Sequence, residues 1–244
     1  MQSIIFRDRI EAANKLAERL KLQLNGKVDN RISPSSIVVL SIPRGGVVVG
    51  DVVATKLNAK LDLVVSRKIG APFNPEFAIG AVMPDGSHFL NEDIKGMINI
   101  PPNYIEDQIK VQKKEIERRL MNFRGRKEYD MELRGKTVVL VDDGIATGAT
   151  MVSAARWLKT KQNSQVLIIA VPVAPPDTVN KLKETLGNDD KVIVLYSPEL
   201  FRAVGQFYKG FEQVSDTEVK EIMKRHGYKV DSEQENAESH MYAT

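Results

Sequence analysis

The sequence predicts an α/β fold, an open and mostly parallel sheet of about five strands with helices on its flanks. Short aliphatic runs, typical of strands buried on both faces, alternate with longer segments that repeat apolar residues at helical spacing. Small and polar residues follow several of these runs, where a parallel sheet carries its ligand-binding loops. The chain has 244 residues, of which 42% are hydrophobic and 27% charged, so it is long enough for one well-buried core.

Each predicted element rests on its local pattern. Helices show apolar residues three and four positions apart, and strands are aliphatic runs bounded by residues that favour turns. The alternation of the two patterns indicates right-handed βαβ units, and a Pro with an Asp-Gly pair between two short runs indicates a β-hairpin. In chain order we predict a helix over 8–22, a strand over 37–42, a helix over 47–57, a strand over 61–66, a hairpin of 77–82 with 87–90, a helix over 103–124, a strand over 138–141, a helix over 151–161, a strand over 165–171, a helix over 177–186, a strand over 191–196 and a helix over 217–226.

Composition narrows the classes of protein and of site. The chain has no Cys and three His, which excludes a disulfide framework, thiolate chemistry and a Cys/His zinc site, so any metal should be bound by oxygen. No apolar run approaches a membrane span and the first residues lack a signal-peptide pattern, so we expect a cytoplasmic protein with no membrane partner. The net charge of +3 is spread along the chain, and we expect no nucleic-acid partner.

The most informative motif follows the predicted strand over 138–141. Asp142 and Asp143 stand at the carboxyl end of this strand, and residues 147–150 read Thr-Gly-Ala-Thr at the start of a helix. Small side chains and a helix N-terminus favour a bound phosphate, whereas two carboxylates favour sugar hydroxyls or a divalent cation. An Asp-Gly turn followed by an ordinary helix cap is the alternative, but the full pattern favours a sugar-phosphate site.

Two further loops follow predicted strands at the same edge of the sheet. Arg44 precedes Gly45 and Gly46, and this combination of a guanidinium and free backbone N–H groups suits a diphosphate better than a plain helix turn. Arg67 and Lys68 open a Pro- and Gly-rich segment that we predict to be a loop over 67–76. Alone, this pair of cations would indicate a solvated loop, but a third anion-suited segment at one edge favours a functional role.

These motifs resemble those of the type I phosphoribosyltransferases, and together they resemble the "predicted phosphoribosyltransferase" branch of that family over nearly all of residues 6–221. The resemblance implies the fold of that family, with a β-hairpin and flexible loop. It also implies that the two acids contact the ribose hydroxyls, that 146–150 hold the 5-phosphate and that the Arg-Gly-Gly loop binds diphosphate. The implied substrate-binding residues are Gly45, Gly46, Asp142, Asp143, Gly144, Ala146, Thr147, Gly148, Ala149 and Thr150.

The activity that the resemblance implies is transfer of a 5-phosphoribosyl group from 5-phosphoribosyl 1-diphosphate to a nitrogenous base, in purine-type nucleotide salvage. Mg²⁺ would bind the diphosphate and the ribose hydroxyls, with the two acids reaching it through those hydroxyls or water. A homodimer is expected. An alternative is a regulator of the same fold that senses this sugar diphosphate or a nucleotide, with little catalysis. The catalytic residues would be Arg44, Arg67, Lys68, Asp142 and Asp143.

The resemblance also implies a C-terminal hood over the acceptor. We predict one domain over 1–230, with residues 197–227 as the hood segment, and a flexible polar tail over 231–244. The aromatic residues of the hood segment suit stacking on a flat base, but aromatic burial is common and favours a small packed core. These residues are Phe201, Phe207, Tyr208 and Phe211.

Overall fold

The computed structural model describes residues 4–27, 36–91, 99–129 and 132–230. The predicted tail over 231–244 lies outside these residues. The strands are, in chain order, β1 (Ile37–Ser41), β2 (Lys60–Leu63), β3 (Arg67–Ala71), β4 (Asn74–Val82), β5 (His88–Leu90), β6 (Thr137–Val141), β7 (Val166–Val173) and β8 (Lys191–Tyr196). The helices are α1 (Arg9–Lys27), α2 (Gly45–Leu57), α3 (Tyr104–Arg124), α4 (Ala149–Thr160), α5 (Pro176–Thr185) and α6 (Asp216–Arg225).

The central sheet has five parallel strands in the spatial order β2-β1-β6-β7-β8. This arrangement confirms the predicted α/β fold. Helices α1, α2, α3 and α6 pack on one face of the sheet, and α4 and α5 pack on the other. Alternate residues of β6 enter the two hydrophobic clusters, Val139 and Val141 on one face and Val138 and Leu140 on the other. Burial on both faces therefore explains why these strands are continuous aliphatic runs.

A second, antiparallel sheet corrects one prediction. Residues 67–76, predicted as a loop, form β3, a tight turn and the start of β4, and the strands of this sheet lie in the order β3-β4-β5. Ile69 is fully buried against the main core, and the Tyr104 hydroxyl of α3 donates to the Gly70 carbonyl at 2.9 Å. These tertiary contacts outweigh the local Pro and Gly signals. The predicted hairpin is confirmed as β4 and β5.

The hood segment divides between two packing environments. Its helix α6 contributes Val219, Ile222 and Met223 to the main core beside α3. Residues before α6 include a short 3₁₀ turn, Val204–Phe207, and form a separate small cluster with Phe6 near the chain start. Backbone hydrogen bonds tie this region to the first residues, because Phe6 N–H donates to the Phe207 carbonyl at 3.0 Å. None of the helices in the described residues is long and apolar enough to cross a membrane.

Candidate functional site

Two of the predicted loops meet at the carboxyl edge of the central sheet. The last residues of β1 and β6, Ser41 and Val141, are direct partners in the parallel register, so the loops after them start side by side. The approach is closest at two glycines. A Cβ on Gly46 would lie 2.9 Å from Asp142 Oδ1, and a Cβ on Gly45 would collide with Asp143 Oδ2. The glycines are therefore required for the Arg-Gly-Gly loop to pack against the acid pair.

The Arg-Gly-Gly loop forms the N-terminus of α2. The Pro43–Arg44 peptide is cis, and Arg44 occupies the position that precedes the helix. The Arg44 side chain makes no capping hydrogen bond to α2, and the positive end of the helix faces the carboxyl edge of the sheet. The Arg44 side chain is about one-third exposed, and its Nη1 pairs with Asp216 Oδ1 at 3.2 Å. This guanidinium can therefore exchange a carboxylate for an anionic ligand.

The acid pair itself is partly buried. Asp142 Oδ1 accepts the N–H of Asp143 at 2.8 Å, an arrangement that turns one oxygen back onto the loop. Burial and the neighbouring Asp143 charge raise the pKa of Asp142 well above its usual value, while Arg9 opposes this rise. Two carboxylates this close can accept hydrogen bonds from adjacent hydroxyls of one ligand.

The phosphate end of the motif lies at the N-terminus of α4. Gly148 has φ +79° and precedes the first helical residue, and the side chains at 147, 149 and 150 flank it. The loop is fixed from behind, because Thr178 Oγ1 donates to the Ala146 carbonyl at 2.6 Å and the Ile145 N–H donates to the Val173 carbonyl at 2.9 Å. A helix N-terminus that is held in place and carries small side chains is suited to an anion.

The structure does not bring the third predicted pair into the same contact network. Arg67 Nε donates to Gln112 Oε1 of α3 at 3.2 Å, and Lys68 Nζ pairs with Glu76 Oε2 of β4 at 2.8 Å. In the described part of the chain, the contacts of both side chains are thus with α3 and β4 rather than with Arg44 or the aspartates. A role at the same ligand therefore stays a prediction.

Three further residues surround the site: Arg9 and Asp216, which motif reasoning missed, and Tyr208, which it considered only as a hood aromatic. Arg9 Nε donates to Asp143 Oδ2 at 2.7 Å, and the Tyr208 hydroxyl donates to the Asp143 carbonyl at 2.5 Å. Burial and the Asp143 charge raise the pKa of Tyr208, which keeps the phenol protonated as a donor. Asp216, which holds Arg44, follows Ser215, whose Oγ accepts the Glu218 N–H at 3.1 Å and caps α6. No local pattern indicates these contacts, since the partners are far apart in sequence.

The aromatic residues of the hood segment pack mainly on each other, as predicted. Phe207 and Tyr208 are buried, and Phe201 lies 5.1 Å from Phe207 between ring centroids. Phe211 contacts Tyr208 at a centroid distance of 4.9 Å and also lies under the Arg9 guanidinium, whose carbon is 3.8 Å from the ring centroid. Phe201 and Phe211 are partly exposed. Since all four rings pack on other protein groups, they give no direct support for base stacking.

Comparisons with known proteins identify the family of this chain. A model of the phosphoribosyl transferase domain matches residues 5–198. The structure of TT1426 from Thermus thermophilus is 38% identical, with a TM-score of 0.72, and the match covers 91% of this chain and 98% of TT1426. MT0597 and Rv0571c, from two strains of Mycobacterium tuberculosis and both provisionally named phosphoribosyl transferases, are 40% identical over 221 residues. The match covers 91% of this chain but 47% of each relative, so the chain spans about half their length. This chain belongs to the phosphoribosyl transferase domain family.

Proposed function

We propose that the chain is a phosphoribosyltransferase that moves the 5-phosphoribosyl group of 5-phosphoribosyl 1-diphosphate, the donor, onto a ring nitrogen of a base. One observation carries the proposal: the N-termini of α2 and α4 follow adjacent strands, and the acid pair lies against the α2 loop. The donor has the matching order of groups, since its hydroxyls lie between a diphosphate and a 5-phosphate. The diphosphate is assigned to the loop at Arg44, the hydroxyls to Asp142 and Asp143, and the 5-phosphate to residues 146–150.

The reaction breaks the bond from C1 to the diphosphate oxygen and forms a bond from C1 to the acceptor nitrogen. The electron pair of the broken bond leaves with the diphosphate, and the ring gains positive character in the transition state. Arg44 stabilises the negative charge that develops on the leaving diphosphate. Arg67 and Lys68 would add to this effect if they contact the bound donor. The carboxylates of Asp142 and Asp143 fix the ring and favour its positive character. No residue is assigned to remove the acceptor proton.

A divalent cation fits this site only as a partner of the donor. The described residues contain no group of three or more His, Asp or Glu side chains that could hold a metal ion. One oxygen of Asp142 is bonded to the loop backbone and one oxygen of Asp143 is bonded to Arg9. Mg²⁺ commonly binds few carboxylates and takes its other ligands from substrate phosphates and water. We propose that a Mg²⁺ ion would be held here mainly through the donor, with Asp142 and Asp143 reaching it through hydroxyls or water, and that it would supply positive charge for the leaving diphosphate.

The test of the proposed function is release of diphosphate from the donor across a panel of bases with Mg²⁺ present. We expect turnover with one class of base, and purine-type bases are the first class to examine. Tight donor binding with no diphosphate release from any base would favour the sensing regulator instead. The acceptor class, the homodimer and the cytoplasmic location stay predictions from the sequence.

Arg44→Ala is expected to lower kcat by about 10²- to 10³-fold, because a preorganised donor to the developing charge is lost. Global stability should change by less than about 1 kcal/mol, since the Arg44–Asp216 pair is partly exposed. The matched control is Arg225→Ala, which breaks the Arg225–Asp51 pair (2.6 Å) between α6 and α2. Steady-state kinetics should separate the two variants. Equal kcat values for Arg44→Ala and Arg225→Ala would remove Arg44 from the chemical step.

Gly148→Ala is expected to weaken donor binding about tenfold, the equivalent of one hydrogen bond to a charged group. An Ala at position 148 would have to adopt φ +79°, and its Cβ would lie 2.8 Å from Thr178 Cγ2. This close contact should displace the start of α4. Gly135→Ala is the control, because Gly135 has φ +71° but no atom within 4 Å of the Cβ that Ala would add. Both variants should lose about 1–2 kcal/mol of folding free energy from the left-handed backbone. Calorimetry should show reduced donor affinity for Gly148→Ala alone, and equal affinities would count against the phosphate assignment.

A further inference from the structure

Arg9, the first residue of α1, reaches into the candidate donor site. Its Nε donates to Asp143 Oδ2 at 2.7 Å, and the two side chains are only 12% and 13% exposed. Its Nη1 donates to the Glu212 carbonyl at 2.8 Å, and its guanidinium carbon lies 3.8 Å from the centroid of Phe211. One side chain thus joins the start of α1, the loop after β6 and the hood segment.

The position of Arg9 is set by its local structure. Asp8 Oδ1 accepts the N–H of Glu11 at 2.7 Å and caps α1, so Arg9 stands at the first turn of the helix. The preceding residues pair with the hood segment, since the Gly210 N–H donates to the Arg7 carbonyl at 2.8 Å. Backbone contacts therefore hold the segment from which the Arg9 side chain extends to Asp143.

The Asp143 carboxylate depends on this contact for its orientation. The backbone carbonyl of Asp143 is held by the Tyr208 hydroxyl, and Gly45 leaves room beside Oδ2, where an added Cβ would also lie 3.1 Å from Arg9 Nε. Arg9 brings a positive charge to the acid pair, and this charge opposes the rise in the pKa of Asp142 that burial and Asp143 cause. Without Arg9, Asp143 would keep its backbone contact but lose the guanidinium that binds its Oδ2 atom.

We propose that Arg9 is a positioning residue of the donor site, which orients the Asp143 carboxylate to accept a hydrogen bond from a ribose hydroxyl. This role rests on the proposed function, because it assumes that the acid pair binds the donor. Arg9 itself is assigned no contact with the donor. A purely structural role predicts a different outcome, in which removal of Arg9 lowers stability while the folded protein binds the donor normally.

The test is calorimetric donor affinity, with Mg²⁺, for the wild type, Arg9→Ala, Arg9→Lys and Arg7→Ala. Arg9→Ala should weaken binding by about 10- to 100-fold, the range usual when a group that orients a ligating side chain is removed. Added millimolar guanidinium should restore part of the affinity, because it can occupy the space beside Asp143 and Phe211. Arg9→Lys keeps the charge and should bind more tightly than Arg9→Ala. Arg7 is the control, since its side chain is 72% exposed and pairs with Asp8 on the surface.

The outcomes separate the two proposals. If the wild type binds no donor, the proposed function fails. If the wild type binds the donor and folded Arg9→Ala binds it equally well, the proposed function stands and the role of Arg9 is wrong. A loss of affinity that neither guanidinium nor Arg9→Lys reverses would also contradict positioning by charge. Should Arg9→Ala not fold, Arg9→Gln, which keeps a polar side chain but removes the charge, is compared with the wild type and with Arg7→Ala, and equal affinities in all three proteins would contradict the role.

Discussion

Replacing both acids of the motif, Asp142→Asn with Asp143→Asn, is expected to abolish donor binding and leave the protein folded. The amide groups lose the negative charge that favours hydrogen bonds from ribose hydroxyls and the positive character of the ring. An Asn at 143 keeps an oxygen for the Arg9 Nε–H, so the contact that joins α1 to the site survives in neutral form. Titration calorimetry with donor and Mg²⁺ measures the effect.

The control for this double substitution must change the net charge equally. Asp107→Asn with Asp189→Asn removes two carboxylates from exposed positions, and donor affinity should match that of the wild type. Circular dichroism and a denaturation curve establish that each variant is folded. Wild-type affinity in the folded Asp142→Asn, Asp143→Asn protein would show that the acid pair does not bind the ribose.

The largest expected loss of stability follows from Arg124→Met. Arg124 and Asp62 form a fully buried ion pair, with Nε to Oδ1 at 2.7 Å and Nη2 to Oδ2 at 2.8 Å. The guanidinium carbon also lies 4.3 Å from the Tyr129 ring centroid. Removing Arg124 leaves an uncompensated charge in the core, which costs about 3–5 kcal/mol of a total stability that is about 5–15 kcal/mol for a typical domain. Denaturant unfolding measures this loss directly.

Two comparisons make this prediction specific. Lys127→Met breaks the partly exposed Lys127–Glu117 pair (3.0 Å) and should cost less than about 1 kcal/mol. Asp62→Leu combined with Arg124→Met removes both buried charges and should be less destabilising than Arg124→Met alone, because no unpaired charge remains. A loss below about 1 kcal/mol for Arg124→Met would contradict the cost assigned to the unpaired Asp62.

The central sheet could be predicted because its strands are simple in sequence. The five residues of β6 are all buried between two layers of helices, and this environment favours a run of mainly apolar residues. The same holds for β1. Helix α4 could be predicted from its apolar spacing, and its buried Ala154, Trp157 and Leu158 lie on the face toward the sheet. Local pattern and tertiary environment agree in these elements.

The antiparallel sheet shows where local pattern fails. Gly70 lies within β3, and Pro75 lies within β4, yet the two strands pair because the absence of a Gly70 side chain allows the Pro75 backbone to approach. A Gly and two Pro residues within ten positions predict a loop on local grounds. The burial of Ile69 and the contact of Gly70 with Tyr104 depend on distant parts of the chain, and Tyr104 is 34 positions from Gly70. The residues near Gly70 in the sequence therefore do not predict these contacts.

The sequence predicted the loops of the candidate site but not the distant residues that contact them. The loops at Arg44 and Asp142 could be located because each combines several unusual residues directly after a strand. Arg9 could not be found, because its partner Asp143 lies 134 positions away and an Arg at a helix start is ordinary. The pairing of Arg44 with Asp216 could not be predicted from the sequence either, because the two residues are 172 positions apart and meet only when α6 packs beside α2.

The most direct measurement is a crystal structure of the protein with 5-phosphoribosyl 1-diphosphate and Mg²⁺. We expect the 5-phosphate at the N-terminus of α4 around residues 146–150, the ribose hydroxyls on Asp142 and Asp143, and the diphosphate beside Arg44 and Gly45. A donor bound elsewhere, or bound with its hydroxyls away from both aspartates, would contradict the assignment of this edge of the sheet.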